Sequence, residues 1–96
     1  MSHTVLLEFQ CQEGKGPEFL QTLLGALPDT RAREGCELVE TYTDSENPDV
    51  IMLWEKWTAR ANQESYIAWR METGFVDAVG PFMAAAPRIV HMNAED

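Results

Sequence analysis

Val50-Ile51-Met52-Leu53-Trp54-Glu55-Lys56-Trp57 is the stretch on which the fold turns. Its residues alternate into two sets: Ile51, Leu53 and Trp57 on one side, Val50, Met52 and Trp54 on the other. A strand that is apolar on both faces needs cover on both. Thr58 follows directly and is a good helix cap, and the chain from about Ala59 to Met71 reads as a helix. The helices of a two-layer domain cover only one face of its sheet. A second chain is the simplest cover for the other.

Working outward, Asp44-Ser45-Glu46-Asn47-Pro48-Asp49 is a polar turn cluster. Cys36 to Thr43 before it is rich in residues that favour extended structure, so the two strands form a hairpin. Further upstream, residues 4–11 alternate, with Val5, Leu7, Phe9 and Cys11 on one face and Leu6, Glu8 and Gln10 on the other, as in a half-buried strand. Gly14-Lys15-Gly16 ends it. Pro17 suits the first position of a helix, and Phe19, Leu20, Leu23, Leu24 and Leu27 form a helical stripe. Pro28 is expected to interrupt or kink that helix, Asp29 to Glu34 to resume it, and Gly35 to stop it. Downstream, Glu72-Thr73-Gly74 breaks the second long helix. A short helix then carries Phe75, Val79, Phe82 and Met83, Arg88 to Met92 is a last strand, and Asn93 to Asp96 is a loose acidic tail. The order is β-α-β-β-α-β in one domain, residues 1–96. This is an α+β, ferredoxin-like arrangement, with a four-stranded antiparallel sheet carrying helices on one face and right-handed crossovers.

The net charge is −9, from seven basic residues scattered among sixteen acids. A nucleic-acid binder needs a basic face, so neither nucleic acid nor an anionic membrane surface is an expected partner. No apolar run approaches the ~20 residues that span a bilayer. Met1-Ser2-His3-Thr4 lacks the basic and apolar regions of a signal peptide, so a cytoplasmic location is expected. Cys11 and Cys36 match no zinc or redox spacing and read as reduced, buried core residues. Neither they nor the scattered His3 and His91 form a visible metal site.

Gly35-Cys36, the strand ending near Tyr42, the Asn47-Pro48 turn, the strand closing Glu55-Lys56-Trp57 and Arg60 soon after resemble the antibiotic biosynthesis monooxygenase family. The run Ser65-Tyr66-Ile67-Ala68-Trp69-Arg70-Met71-Glu72-Thr73-Gly74 looks like a subgroup of it. The resemblance spans Val5 to His91. It implies a homodimer whose two sheets face each other as a dimeric α/β barrel, and a pocket in each subunit between sheet and helices. It also implies activity of the kinds the family shows: cofactor-free oxidation of phenolic polyketides or quinols, or haem degradation. The haem degraders use a histidine before the Phe75 position, where this chain reads Glu72-Thr73-Gly74, so haem chemistry is not expected. The cofactor-free enzymes use an asparagine and a tryptophan; Trp57 carries over, but Val50 to Trp57 holds no asparagine.

Six residues are weighed for the site. Trp57, at a strand–helix junction, could stack on an aromatic substrate or anchor sheet to helix. Tyr66, Trp69 and Arg70 share a helix face, and a phenol, an indole and a guanidinium together could hold a flat anionic ring. Alternatively the two aromatics pack on the sheet while Arg70 pairs with Glu72 or Asp77. His91 could serve as a general base or be structural. Glu55, on the Trp57 face, is expected to form an ion pair with Arg31, Arg33 or Arg60, the other option being a base of raised pKa. The expected function is a cofactor-independent monooxygenase acting on an aromatic phenol or quinol, with Trp57, Tyr66 and His91 catalytic and Trp57, Trp69 and Arg70 binding substrate. The alternatives are a non-catalytic dimer that binds an aromatic metabolite, and an isomerase or lactone-type enzyme on the same barrel.

Overall fold

The structure, a computed structural model, describes residues 2–96. Its elements are β1 (His3–Gln10), α1 (Gly16–Arg31), β2 (Cys36–Asp44), β3 (Asn47–Trp57), α2 (Arg60–Glu72), α3 (Phe75–Val79) and β4 (Arg88–Met92), with a 3-10 turn at Gly80–Phe82 between the last two. The sheet runs β2-β3-β1-β4 and every pairing is antiparallel. This is the ferredoxin-like arrangement that the alternation of elements predicts.

One face of the sheet packs under α1 and α2. Val5, Leu7 and Phe9 of β1 and Ile51, Leu53 and Trp57 of β3 are buried there against Phe19, Leu23 and Leu27 of α1 and Tyr66 of α2. Phe9 and Phe19 meet with ring centroids 5.1 Å apart. Burying each such side chain stabilises the fold by roughly 1.5–3 kcal/mol. The second face carries Leu6, Leu38, Met52, Trp54, Val90 and Met92, placed there by the strand register. Trp54 on that face is 37% exposed and Tyr42 51%. No helix among the described residues is long and apolar enough to cross a membrane.

The start of α1 is fixed from β3. Asp49 accepts hydrogen bonds from the Gly14 N–H at 3.0 Å and the Gly16 N–H at 2.8 Å, placing a negative charge where the helix dipole favours one. Gly16 lies so close to Pro48 and Asp49 that a Cβ there would collide with backbone. Gly35, at φ +85°, turns the chain out of the helix into β2.

Three local expectations are corrected. Helix α1 runs unbroken through Pro28 to Arg31. The proline removes a single bond in the penultimate turn, while buried Leu27 and Thr30 hold the helix on either side of it. The polar cluster is shorter than its composition suggests: Ser45-Glu46 alone makes the turn, and β3 starts at Asn47. Pro48 falls where the β2–β3 register shifts, so its missing N–H costs no ladder bond. Thr58 does not cap α2; its hydroxyl donates instead to Glu37 Oε2, 3.2 Å away. Both cysteines are free, Cys11 buried and Cys36 half-buried.

Candidate functional site

Between the sheet and the helices lies a cavity of about 130 Å³. Its walls are mostly apolar, with Leu7 and Leu53 from the sheet, Phe19 and Leu23 from α1, and Phe75 from α3. Six polar side chains interrupt them: Glu55 from β3, Thr22 and Thr30 from α1, Tyr66 and Arg70 from α2, and Thr73 just beyond it. The exposed lining residues Thr22, Thr73 and Ala78 mark where the cavity meets the surface, between α1 and the α2–α3 corner.

Glu55 alternates inward with Leu53 and Trp57 and is 1% exposed. The expected ion pair is absent. Arg31 donates to the Val39 carbonyl at 3.1 Å, Arg33 lies over the Trp69 ring and Arg60 pairs with Glu64. Glu55 Oε1 instead accepts the Trp57 indole N–H at 3.0 Å, and Oε2 has no partner. Burial lifts the Glu55 carboxyl above its usual range, and the Trp57 bond opposes part of that rise.

The helical wall is a hydrogen-bonded chain. Arg70 donates from Nε to the Tyr66 hydroxyl at 2.8 Å, and from Nη2 to the Ala26 carbonyl at 2.8 Å and Thr30 Oγ1 at 3.0 Å. Tyr66 and Thr30 oxygens are 2.8 Å apart, and Thr30 Oγ1 lies 3.4 Å from the Ala26 carbonyl. The guanidinium only donates, so the Tyr66 and Thr30 oxygens both accept from Arg70, and either hydroxyl can donate to the other. Arg70 therefore ties α2 to α1 across the cavity, and it pairs with neither Glu72 nor Asp77.

The remaining candidates sit around this centre. Trp57 is fully buried behind Tyr66, with ring centroids 5.1 Å apart, and does not line the cavity. Trp69 lies outside it under two guanidiniums, Arg33 at 4.6 Å and Arg70 at 4.7 Å from its ring centre. His91 is across β1 from Glu55, because both flank Val5 in the register. Its Nδ1 is 2.8 Å from His3 Nε2, a contact that requires at least one neutral ring. Burial, then Arg60 and then His3 lower the His91 pKa, while Glu64 acts the other way. The structure thus brings Tyr66 and Arg70 together at the cavity, sets Trp57 behind them, and places Trp69 and His91 off its walls.

Sequence reasoning missed Thr30 and Gln63, polar residues that are 1% and 2% exposed. Their spacing carried a signal: Thr30 continues the stripe of Leu23 and Leu27, and Gln63 shares a helical face with Tyr66, Ile67 and Arg70. Among the described residues no group of three metal-ligating side chains gathers.

The family model described as antibiotic biosynthesis monooxygenase matches residues 2–80. A search of curated protein sequences finds no match. Among solved structures, a conserved protein from Methanosarcina mazei Go1 superposes with a TM-score of 0.86 at 18% identity, covering 99% of this chain and 94% of that one. A protein from Mycobacterium tuberculosis gives 0.83 at 18%, covering 100% and 97%. One described as antibiotic biosynthesis monooxygenase gives 0.85 at 19%, covering 100% of both. At these identities the superpositions speak to the fold alone.

Proposed function

We propose that this chain, which belongs to the antibiotic biosynthesis monooxygenase family, is a cofactor-independent monooxygenase of an aromatic phenol or quinol and works as a homodimer. The observation that carries this reading is the mostly apolar cavity with Arg70 fixed in its helical wall. Reaction of a phenol with oxygen is favoured once the ring carries the negative charge of its conjugate base. A cation held in place beside a mostly apolar, ring-sized space stabilises that charge, and does so without reorganising during the reaction.

The residues take roles according to their positions. Arg70 stabilises the anion and the apolar walls grip the ring. Tyr66 and Thr30 hold Arg70 in place, and the Tyr66 oxygen, which already accepts from Arg70, is a poor proton acceptor. Trp57 backs Tyr66 and fixes Glu55. Trp69 positions Arg70 by stacking under it. His91, off the cavity walls, has a structural role with His3. The homodimer reading is supported by the second sheet face, where Met52, Trp54 and their neighbours lack cover from this chain.

The test is oxygen uptake by the purified protein with hydroquinones and larger phenols, without added metal or flavin. Uptake that depends on the protein and is lost in Arg70→Met supports the reading; none with any of them overturns it. A second reading, an isomerase on the same scaffold, is favoured by the unpartnered Glu55 Oε2, since proton shuttling needs a base but no oxygen. Substrate turnover under argon would select it.

A further inference from the structure

The geometry points to Glu55 as the base that takes the hydroxyl proton of a single-ring phenol or hydroquinone held in the cavity. The substrate class rests on the oxygenase reading; the proton transfer rests on the site itself.

Glu55 lines the cavity, is almost wholly buried, and leaves Oε2 without a hydrogen-bond partner. Buried carboxylate oxygens are normally matched by donors, and one left unmatched beside a cavity is open to a ligand's donor. The cations that could have matched it are committed elsewhere. Arg70 lines the same cavity, yet its bonds run to Tyr66, Thr30 and Ala26, and Arg31 donates to the Val39 carbonyl. Base and cation therefore share one space without neutralising each other, as acid–base work requires. Size narrows the ligand. The cavity, about 130 Å³, is close to the ~150 Å³ of an engineered apolar cavity that takes up benzene. One ring fits, and a polycycle does not fit without opening of the α2–α3 corner.

In the step itself, Glu55 Oε2 takes the proton, the phenolic O–H bond breaks, and its electron pair stays on the phenolic oxygen. The single negative charge moves from carboxylate to phenolate, leaving neutral Glu55 on the sheet side and Arg70 as the cation on the helical side. Oε1 keeps its bond to the Trp57 indole, so Trp57 is a positioning residue. Burial raises the basicity of the carboxylate toward that of a phenol, which lessens the uphill part of the transfer.

The test uses 4-nitrophenol, whose phenolate is visible by its absorption, under argon at a pH below the ligand's own pKa. Binding to the wild-type protein is expected to generate the phenolate band. Glu55→Gln, at equal occupancy by equilibrium dialysis, is expected to give at least about tenfold less, the equivalent of one pKa unit. Circular dichroism checks that the variant folds; should it not, Glu55→Asp, which draws the carboxylate back by one methylene, is expected to weaken the band several-fold. No band in wild type, or an equal band in the folded variant, overturns the assignment. Oxygen uptake with hydroquinone separates this outcome from the oxygenase reading. A wild-type band without uptake keeps Glu55 as base and removes the oxygenase. Uptake at the wild-type rate in Glu55→Gln removes Glu55 and keeps the oxygenase.

Discussion

The indole N–H of Trp57 is the only hydrogen-bond donor to the Glu55 side chain among the described residues, at 3.0 Å, and both residues are all but closed to solvent. Strand geometry makes the pair possible, because residues two apart on a strand project from the same face. A buried carboxyl is thus held by its own strand and owes nothing to a cation.

Trp57→Phe follows from that pair. The substitution removes the donor and leaves the carboxyl with no partner, which costs about 1–3 kcal/mol, in addition to the lost packing against Tyr66. For a domain of this size each kcal/mol lowers the unfolding midpoint by about 4–8 °C. The variant is expected to fold and to melt lower, with the loss larger at neutral pH than in acid, where the carboxyl is protonated. A melting temperature equal to wild type at both pH values would show that the pair is idle.

Glu55→Gln tests the other member through pH. Burial holds the folded Glu55 pKa above its unfolded value, with the Trp57 bond opposing it. The groups facing it are Arg70 and Tyr66 across the cavity and Cys36 on β2, whose thiol is raised by burial first and by Glu55 second. For a raised acid, the stabilising contribution is complete below the unfolded pKa and is lost as pH rises through the folded one. Gln carries no charge to bury. Thermal scans of both proteins are therefore expected to converge in acid, with the variant melting higher from the neutral range upward. A gain that is the same at every pH would rule out ionisation of Glu55 as its source.

Much of this was readable from particular residues. The alternation of Val5, Leu7 and Phe9 and the stripe of Phe19, Leu23 and Leu27 are imposed by half-buried elements, so the sheet and α1 were legible. The inward placement of Glu55 was legible too, from its offset to Leu53 and Trp57. Its partner was not, because which side chain reaches a buried carboxyl depends on three-dimensional distances that period alone does not encode. The pairing of Tyr66 with Arg70 could be read along one helix; Thr30, which completes their network, lies 36 residues from Tyr66. His91 reads in sequence as either a general base or a structural residue; its contact with His3, 88 residues away, is visible only in the fold.

Thr30→Val examines that network. The change keeps shape but removes the oxygen that faces the Tyr66 hydroxyl at 2.8 Å and receives Arg70 at 3.0 Å. The Tyr66 hydroxyl and the Arg70 guanidinium each lose a buried partner, at a cost of about 1–3 kcal/mol. Thr30→Ser, which keeps the hydroxyl, is expected to lose less. Denaturant unfolding of the two variants measures the difference; equal losses would mean that Thr30 contributes its methyl group and not its oxygen.

Trp54→Glu bears on the dimer. Trp54 is paired with Leu6 and Glu40 across the sheet, on the face that no helix covers. Around it the register sets Leu38, Met52, Val90 and Met92, interspersed with Glu8, Glu40 and Lys56, and an apolar cluster rimmed by polar residues marks an interaction site. A stable interface takes about 800 Å² from each partner, and one sheet face of a domain this size can supply that. In wild type, sedimentation is expected to give a species of twice the 10.9 kDa chain mass at micromolar concentration. A carboxylate at position 54 would have to be desolvated at the centre of the interface, next to Glu40, and is expected to shift the protein to monomer. Because Glu55 faces the helices, the substitution next to it on β3 does not alter the cavity wall directly, so the variant also asks whether the cavity needs the dimer. Circular dichroism unchanged with the mass halved is the expected result. A wild-type protein that already sediments at the chain mass would remove the shared-sheet argument.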